Sequence, residues 1–391
     1  MPDVHNPPAA SSENAPRPAR NRVDVAVIGA GQAGLAIGYF LARQGRRFTI
    51  LEAGEGVGTA WRERWESLVL FTPRRYDALP GLAFPGDPNS YPNGGEVIAY
   101  LEQYAETFEL PIEFNSPVRS LTRSDDNFVI ELLDRRIEAD QVVVATGPFQ
   151  APNMPPLAGQ LVPEVFQTHS AGYRRPGDVP KGQVVVVGCG NTGFQIAKEL
   201  SATNTVKLAL GSRQTPLPQR LLGRDLFWWL TKIGLLNKTV ESRIGQRLRH
   251  RDTLIGSSPR ELRRRYGVEV KPRVVGASER TLSFADGSHT EVDAVIWATG
   301  YRPDHSWIEA APTDSDGSVR HRRGVTDVPG LYFLGLSWQH TRGSALLGWV
   351  KDDAEFIAEQ VAAQAKNGVP AGTETAERSG PLPTTGHQRG N

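Results

Sequence analysis

Cysteine is nearly absent from this chain: Cys189 is the single one in 391 residues. One thiol excludes an intrachain disulfide framework and the paired dithiol of disulfide reductases. It fits a reducing compartment, and the cytoplasm is the expected location. Long apolar runs are missing as well. No stretch approaches the roughly eighteen residues that a membrane-spanning helix needs. Charge of one sign is not in excess, and a net charge of +1 gives no global attraction to nucleic acid or anionic lipid. The eight histidines are scattered without metal-ligand spacing, so no metal is expected. No Ser-His-Asp set and no carboxylate pair stands out. Residues 1–22 lack the apolar core of a secretory signal and read as a disordered leader. Residues 367–391, full of Gly, Thr and Pro, read as a disordered tail.

What the chain does contain is two glycine fingerprints. Gly29-Ala30-Gly31-Gln32-Ala33-Gly34 follows the apolar run Val23–Ile28, and Gly188-Cys189-Gly190-Asn191-Thr192-Gly193 follows Val184–Val187. A G-x-G-x-x-G after a buried strand lets the backbone turn tightly and approach a pyrophosphate at the N-terminus of the next helix. Each fingerprint is echoed by Ala-Thr-Gly, at Thr146-Gly147 and at Thr299-Gly300. Two such loops in the right context imply two bound dinucleotides and electron traffic between them.

The first unit continues with a helix whose Leu35, Ile37, Phe40 and Leu41 share one face, ending at Gly45. A second strand, Phe48–Glu52, closes a βαβ unit. A helix over 96–108, three short strands and the strand 141–147 complete it, and Pro148–Pro156 reads as an extended linker. The second unit repeats the plan: a helix over 192–200, a strand over 206–210, strands at 268–275 and 281–284, and the strand 293–300. After Gly300 the strand Leu331–Leu336 and a helix over 352–365 return the chain to the first unit. The second unit is therefore an insert whose ligand meets the first unit's ligand in a cleft.

The residues now resemble the two-dinucleotide flavoprotein superfamily and, within it, the single-component flavin-containing monooxygenases. Besides both fingerprints, Gly58-Thr59-Ala60-Trp61-Arg62-Glu63-Arg64-Trp65 is similar to that family's Gly-Gly-Thr-Trp segment. Val295–Pro303 is similar to its second Ala-Thr-Gly segment. The resemblance implies an α/β fold of two Rossmann-like dinucleotide-binding domains, glutathione-reductase-like. A FAD domain over 23–155 and 301–366 would carry an inserted NADPH domain over 156–300. It also implies an enzyme in which NADPH reduces FAD, reduced flavin takes up oxygen at its C4a carbon, and the resulting peroxide oxygenates a small organic molecule. The attacked atom would be nitrogen, sulfur or a carbonyl-adjacent carbon. The alternative is an NADPH-dependent flavin reductase that passes electrons to a quinone or protein carrier. Substrate identity and oligomeric state, a homodimer included, stay open.

On the resemblance, FAD would be held by Gly29, Gly31, Gln32, Ala33, Gly34, Glu52, Ala53, Trp61, Arg62, Thr146, Gly147 and Gly335. Glu52 stands where the acid that accepts from the adenosine ribose hydroxyls belongs. NADPH would be held by Gly188, Gly190, Asn191, Thr192, Gly193, Ser212, Arg213, Arg220, Thr299 and Gly300. The second unit has no acid at the equivalent place. Ser212 and Arg213 there suit a 2′-phosphate, which a carboxylate would repel.

No side chain is required as a covalent catalyst, and the weak catalytic candidates are Trp61, Thr72, His169 and Gln339. The chain departs from the family at three places. Phe166–Tyr173 keeps a His-x-x-x-Tyr half-motif without its glycine, and His169 reads as a structural histidine bonded to backbone rather than a proton carrier. Phe71 stands where animal-type members place an asparagine, leaving Thr72 as a substitute donor or a plain turn residue. Gly335-Leu336 lacks the aspartate that classical members place on the flavin, and the polar stretch 339–344 is either a cleft lining or a loop. Finally, the aromatic-then-basic insert 221–273 reads as helices packed on their apolar face, with membrane-surface attachment as the competing reading.

Overall fold

The computed structural model describes residues 21–367 except 125, 213, 250–252 and 310. The expected leader and tail lie outside the described residues, apart from the first and last residues of two elements, and so does Arg213. The first unit opens with β1 (Asn21–Ile28), two residues earlier than expected, then α1 (Gln32–Arg43) and β2 (Phe48–Leu51). Val25 to Ile28 are buried in succession, as a strand covered on both faces requires. Leu35, Ile37 and Leu41 are fully buried on α1, each contributing on the order of 2 kcal/mol. The short α2 (Thr59–Arg62) and the longer α3 (Gly94–Thr107) follow. Asn93 and Glu96 form a reciprocal capping box that starts α3.

Strands β3 (Ile112–Glu113), β4 (Ser120–Ser124), β5 (Asn127–Glu131) and β6 (Arg136–Val144) come next. The first sheet runs β3-β2-β1-β6-β5-β4, parallel up to β6 and antiparallel beyond it. The expected extended linker contains β7 (Ala151–Pro152).

The second unit holds β8 (Phe166–His169), β9 (Gln183–Val187), α4 (Asn191–Leu200) and β10 (Thr205–Ala209). The insert then gives β11 (Thr215–Leu217), the hairpin of β12 (Arg220–Leu221) and β13 (Arg224–Asp225), and α5 (Leu226–Lys232). It continues with α6 (Arg243–Arg249), β14 (Thr253–Ile255) and α7 (Pro259–Tyr266). The run expected as one strand over 268–275 is two: β15 (Glu269–Lys271) and β16 (Val274–Ser278). Pro272 lies between them and has no N–H to continue a ladder, so the chain leaves one sheet and enters another. Then come β17 (Thr281–Phe284), β18 (His289–Glu291), β19 (Ala294–Trp297) and β20 (Tyr301–Arg302). The second sheet is five parallel strands, β15-β10-β9-β19-β8. Strands β16 to β18 form a separate antiparallel sheet.

The two chain crossings lie side by side, because β7 and β20 pair with each other. β21 (Leu331–Phe333) then joins the first sheet beside the second half of β6, and α8 (Val350–Asn367) packs along α1. Two hydrophobic seams fix how the units meet. Trp65 and Leu68, just past α2, are buried in the second unit's core with Tyr173 and Phe194. Leu226, Phe227 and Leu230 of α5 pack with Phe71, Tyr76 and Trp349. The insert's apolar face is thus turned inward, as its packing reading expected, while Leu222 and Ile233 stay exposed.

Candidate functional site

The first glycine loop is shaped by backbone contact. Gly29 has φ +108°, and a Cβ there would lie 2.8 Å from the Ala145 carbonyl oxygen. A Cβ on Gly34 would lie 1.8 Å from the Gly29 carbonyl oxygen. At Gly31, by contrast, a Cβ would meet nothing within 4 Å. α1 starts there with no side-chain cap and no acid in its first turn, unlike α3 with its capping box. Its uncapped N–H groups and positive dipole end suit a diphosphate.

Glu52, at the end of β2, is buried. Its carboxylate accepts from Ala30 N at 2.8 Å, Gly54 N at 2.9 Å and Thr59 Oγ1 at 2.9 Å. These bonds fix it beside the loop, with lone pairs left for hydroxyl donors. Trp61 Nε1 donates to Gln32 Oε1 at 3.0 Å, tying α2 to the glycine loop. Arg62 turns away: its Nε donates to the Val57 carbonyl and its Nη2 pairs with Glu102. Ala53 is exposed beside Glu52, and Thr146 Oγ1 accepts from Gln150. Gly147 has φ +73° with open space at its Cβ position, whereas Gly335 (φ +84°) abuts Ala33.

The second loop repeats this geometry. A Cβ on Gly188 (φ +155°) would lie 2.2 Å from the Ala298 carbonyl oxygen, whereas one on Gly190 meets nothing within 4 Å. α4 also starts uncapped, with no acid in its first turn. Gly193 packs over the Gly188 carbonyl. Asn191 Oδ1 accepts from Ile255 N at 3.0 Å, which ties β14 to the loop, and Thr192 is partly exposed beside it. Ser212 is exposed, with its Oγ 3.5 Å from Cys189 Sγ and accepting from Gln214. Arg220 is exposed on the β12 strand of the hairpin. Arg273 reaches back from beyond β15 and donates twice to the Gly211 carbonyl, at 2.7 and 3.1 Å. The sequence did not single out this cation beside Ser212; only the parallel pairing of β10 with β15 brings it there. Thr299 Oγ1 donates to the Asn153 carbonyl, and the Gly300 carbonyl accepts from Asn153 N, so this Ala-Thr-Gly turn is braced by the crossing.

The catalytic candidates separate. His169 is buried, with Nε2 donating to the Gly300 carbonyl and Nδ1 accepting from Ala171 N. Burial lowers its pKa, and in the neutral ring both nitrogens are spent on backbone. Thr72 is buried and donates its hydroxyl hydrogen to Asp77 Oδ1 at 2.6 Å. Asp77 itself has no solvent exposure, no partner for Oδ2, and a pKa that burial pushes up to about 7. Gln339 is buried too: its Oε1 accepts from Leu336 N and its Nε2 has no partner. Its bond to Leu336 N braces the loop after β21. The wall beside Thr72 is aromatic. Phe71 stacks on Phe227 at 5.9 Å and Tyr76 on Trp349 at 5.6 Å between ring centroids. Among the described residues no group of His, Cys, Asp and Glu could hold a metal ion.

A mixed sheet and a parallel sheet, each with an uncapped helix start behind a glycine cradle, define an α/β protein with two cradles suited to dinucleotides. Comparison with known proteins fixes the family. The profile of the pyridine nucleotide-disulphide oxidoreductases matches residues 26–222. An uncharacterized CzcO-like oxidoreductase of Geobacillus kaustophilus is 46% identical over 341 residues, which covers 87% of this chain and 98% of that one. The uncharacterized oxidoreductase CzcO of Bacillus subtilis is 39% identical, covering 86% and 99%. The structure of a flavin-containing monooxygenase from Stenotrophomonas maltophilia superposes with a TM-score of 0.74 at 30% identity, covering 88% and 99%. The chain belongs to the pyridine nucleotide-disulphide oxidoreductase family. It is an oxidoreductase, as the family and its 46% and 39% identical relatives are. No described helix is long and apolar enough to cross a membrane.

Proposed function

We propose that the protein is a single-component monooxygenase that uses NADPH and O2 to oxygenate a small organic molecule at nitrogen, sulfur or a carbonyl-adjacent carbon. The observation that carries the reading is the pair of uncapped helix starts, α1 and α4, each behind a glycine at which a Cβ would meet open space. On this reading residues 23–155 with 301–366 are the FAD domain, and 156–300 the inserted NADPH domain, both Rossmann-like. Gly29, Gly31 and Gly34 hold the FAD diphosphate at α1, Glu52 takes the ribose hydroxyls, and Trp61 fixes Gln32 beside them. Gly188, Gly190 and Gly193 hold the NADPH diphosphate at α4. Ser212, with Arg213 and Arg273, takes the 2′-phosphate by charge-assisted hydrogen bonds.

Bound FAD supplies hydride acceptance and oxygen activation; the chain supplies position and dryness. Trp65 and Leu68, locked into the second core, hold the α2 segment of one unit against the other. The Phe71, Tyr76, Phe227 and Trp349 wall excludes water from the junction. The test is to reduce the enzyme anaerobically with NADPH and mix it with oxygen under stopped flow. An absorbance transient that persists for seconds and collapses faster when substrate is present supports oxygenation. Immediate return of the oxidised flavin spectrum at every substrate tried overturns it and leaves the electron-passing reductase.

A further inference from the structure

The loop after β21 presents a cation, Arg342, that no carboxylate among the described residues neutralises. Its shape is fixed: Ser344, buried, accepts from both His340 N and Thr341 N at 3.0 Å, and Thr341 Oγ1 accepts from Gly343 N. Gly343 is required by close approach, since a Cβ there would lie 2.8 Å from Trp349 Cβ. The loop is also bonded to the insert, with Val240 N donating to the His340 carbonyl at 2.8 Å. From this rigid turn Arg342 reaches across the junction, where its Nη1 makes one long hydrogen bond, 3.4 Å, to Thr253 Oγ1 of β14. No carboxylate lies within ion-pair range of it among the described residues, although Arg323, likewise partly buried, is paired with Asp353 at 2.9 Å. Burial is the one influence on the Arg342 guanidinium and acts against its charge, yet arginine stays protonated.

A partly desolvated charge without a counter-ion gains when an anion binds it. Both ends of the Arg342 span border the aromatic wall: Gly343 abuts Trp349, and Thr253 lies two residues before Ile255 of the same apolar cluster. Phe71, Tyr76 and Trp349 are each partly exposed. We infer that Arg342 is the substrate-recognition residue of the cleft, and that it selects an organic carboxylate whose apolar body lies against Phe71 and Trp349. A planar guanidinium fork matches a carboxylate in a bidentate pair. A dinucleotide diphosphate has its own donors at the α4 start, and among the described residues no second cation joins Arg342 as a dianion would favour.

The inference rests on the substrate cleft of the proposed function but not on its oxygen chemistry, so it is tested by equilibrium binding without turnover. The FAD-loaded protein is titrated calorimetrically with phenylacetate and 3-phenylpropanoate, and with their neutral amides. The wild type should bind the acids roughly 10- to 100-fold more tightly than the amides, the range expected for a charge-assisted bond. Arg342→Gln should remove that preference and leave amide binding unchanged, and Arg342→Lys should restore part of it. Parallel titrations with NADP+ should give equal affinities for all three proteins. Equal binding of acids and amides by the wild type overturns the inference, as does a preference that survives Arg342→Gln. So does a loss confined to NADP+, which would assign the cation to the dinucleotide. If Arg342→Gln does not retain FAD, the Lys variant alone decides: a partial acid preference supports the assignment and an unaltered one overturns it. Failure of the oxygen-mixing test would leave these binding results standing.

Discussion

Replacing Asp77 with Asn should make the protein's stability respond differently to pH, and the size of the change follows from where this carboxyl sits. Asp77 has no solvent exposure, one hydrogen bond from Thr72, and a second oxygen without a partner. Burial outweighs that bond and the attraction of Arg74, and the pKa rises from 3.8 to about 7. The folded protein therefore binds this proton more tightly than the unfolded chain does. Stability is full below the unfolded pKa and falls as pH rises from about 4 to about 7, where the buried carboxyl finally ionises. At 1.36 kcal/mol per pH unit the loss is about 4 kcal/mol in all, and about 2.5 kcal/mol of it falls between pH 5 and pH 8.

An Asn at 77 keeps the acceptor for Thr72 and cannot ionise. Its amide hydrogens face the place where Oδ2 found no partner, a penalty of about 1–3 kcal/mol that is the same at every pH. The quantity to measure is thus the difference between the two proteins, not either alone. Urea unfolding at fixed excess FAD, from pH 5 to pH 8, should show wild type losing about 2.5 kcal/mol relative to Asp77→Asn, with equal m-values. Parallel pH profiles would refute the argument. A wild type that gains on the variant with rising pH would show that the carboxylate is ionised and stabilised in the fold.

Three further outcomes are expected. Gly34→Ala places a Cβ 1.8 Å from the Gly29 carbonyl oxygen and should yield protein purified without FAD, whereas Gly31→Ala, with nothing within 4 Å, should leave the apoprotein's melting temperature unchanged and weaken FAD binding about tenfold or more; flavin absorbance and differential scanning calorimetry read both. Glu52→Gln keeps the shape but weakens the three bonds that fix the loop, and should reduce FAD affinity about 10- to 100-fold, measured by fluorescence titration of the apoprotein. Arg213→Ala and Arg273→Ala should each raise the Michaelis constant for NADPH several-fold more than that for NADH, and equal effects on both cofactors would remove the 2′-phosphate role.

The parts legible in the sequence were those dictated by local constraint. Gly29 and Gly188 need positive φ and a close carbonyl, so their spacing announces the turn before any fold is known. The unbroken apolar runs at 25–28 and 184–186 announce strands covered on both faces. Only half of the bracing of His169 is local: Ala171 N is two residues on, whereas the Gly300 carbonyl is brought in by the pairing of β8 with β19. Pro272 was a readable break that a run of β-formers on both sides masked. What stayed hidden depends on contacts between distant segments. The return of Arg273 to Gly211 needs β10 and β15 to pair, and the burial of Asp77 needs the α8 entry to pack on its turn, where a Cβ on Gly348 would lie 1.8 Å from the Tyr76 carbonyl oxygen.

The same reasoning explains why the aromatic junction, which the proposed function takes as the cleft wall, could not be read in advance. Its wall takes Phe71 and Tyr76 from one loop of the first unit, Phe227 from the insert, and Trp349 from the start of α8. None of these rings is placed by its own neighbours in sequence. Phe227 is the hinge of the arrangement, stacked on Phe71 and within 5.6 Å of Trp349. It is itself fully packed, so shrinking it would disturb both partners at once. The seating of α5 therefore shapes the wall as directly as Phe71 does, although α5 carries no residue of either glycine loop. On the proposed function, substrate preference can change through the seating of α5 while both cofactor cradles stay fixed. That accounts for fingerprints so easily recognised in a chain whose substrate was not.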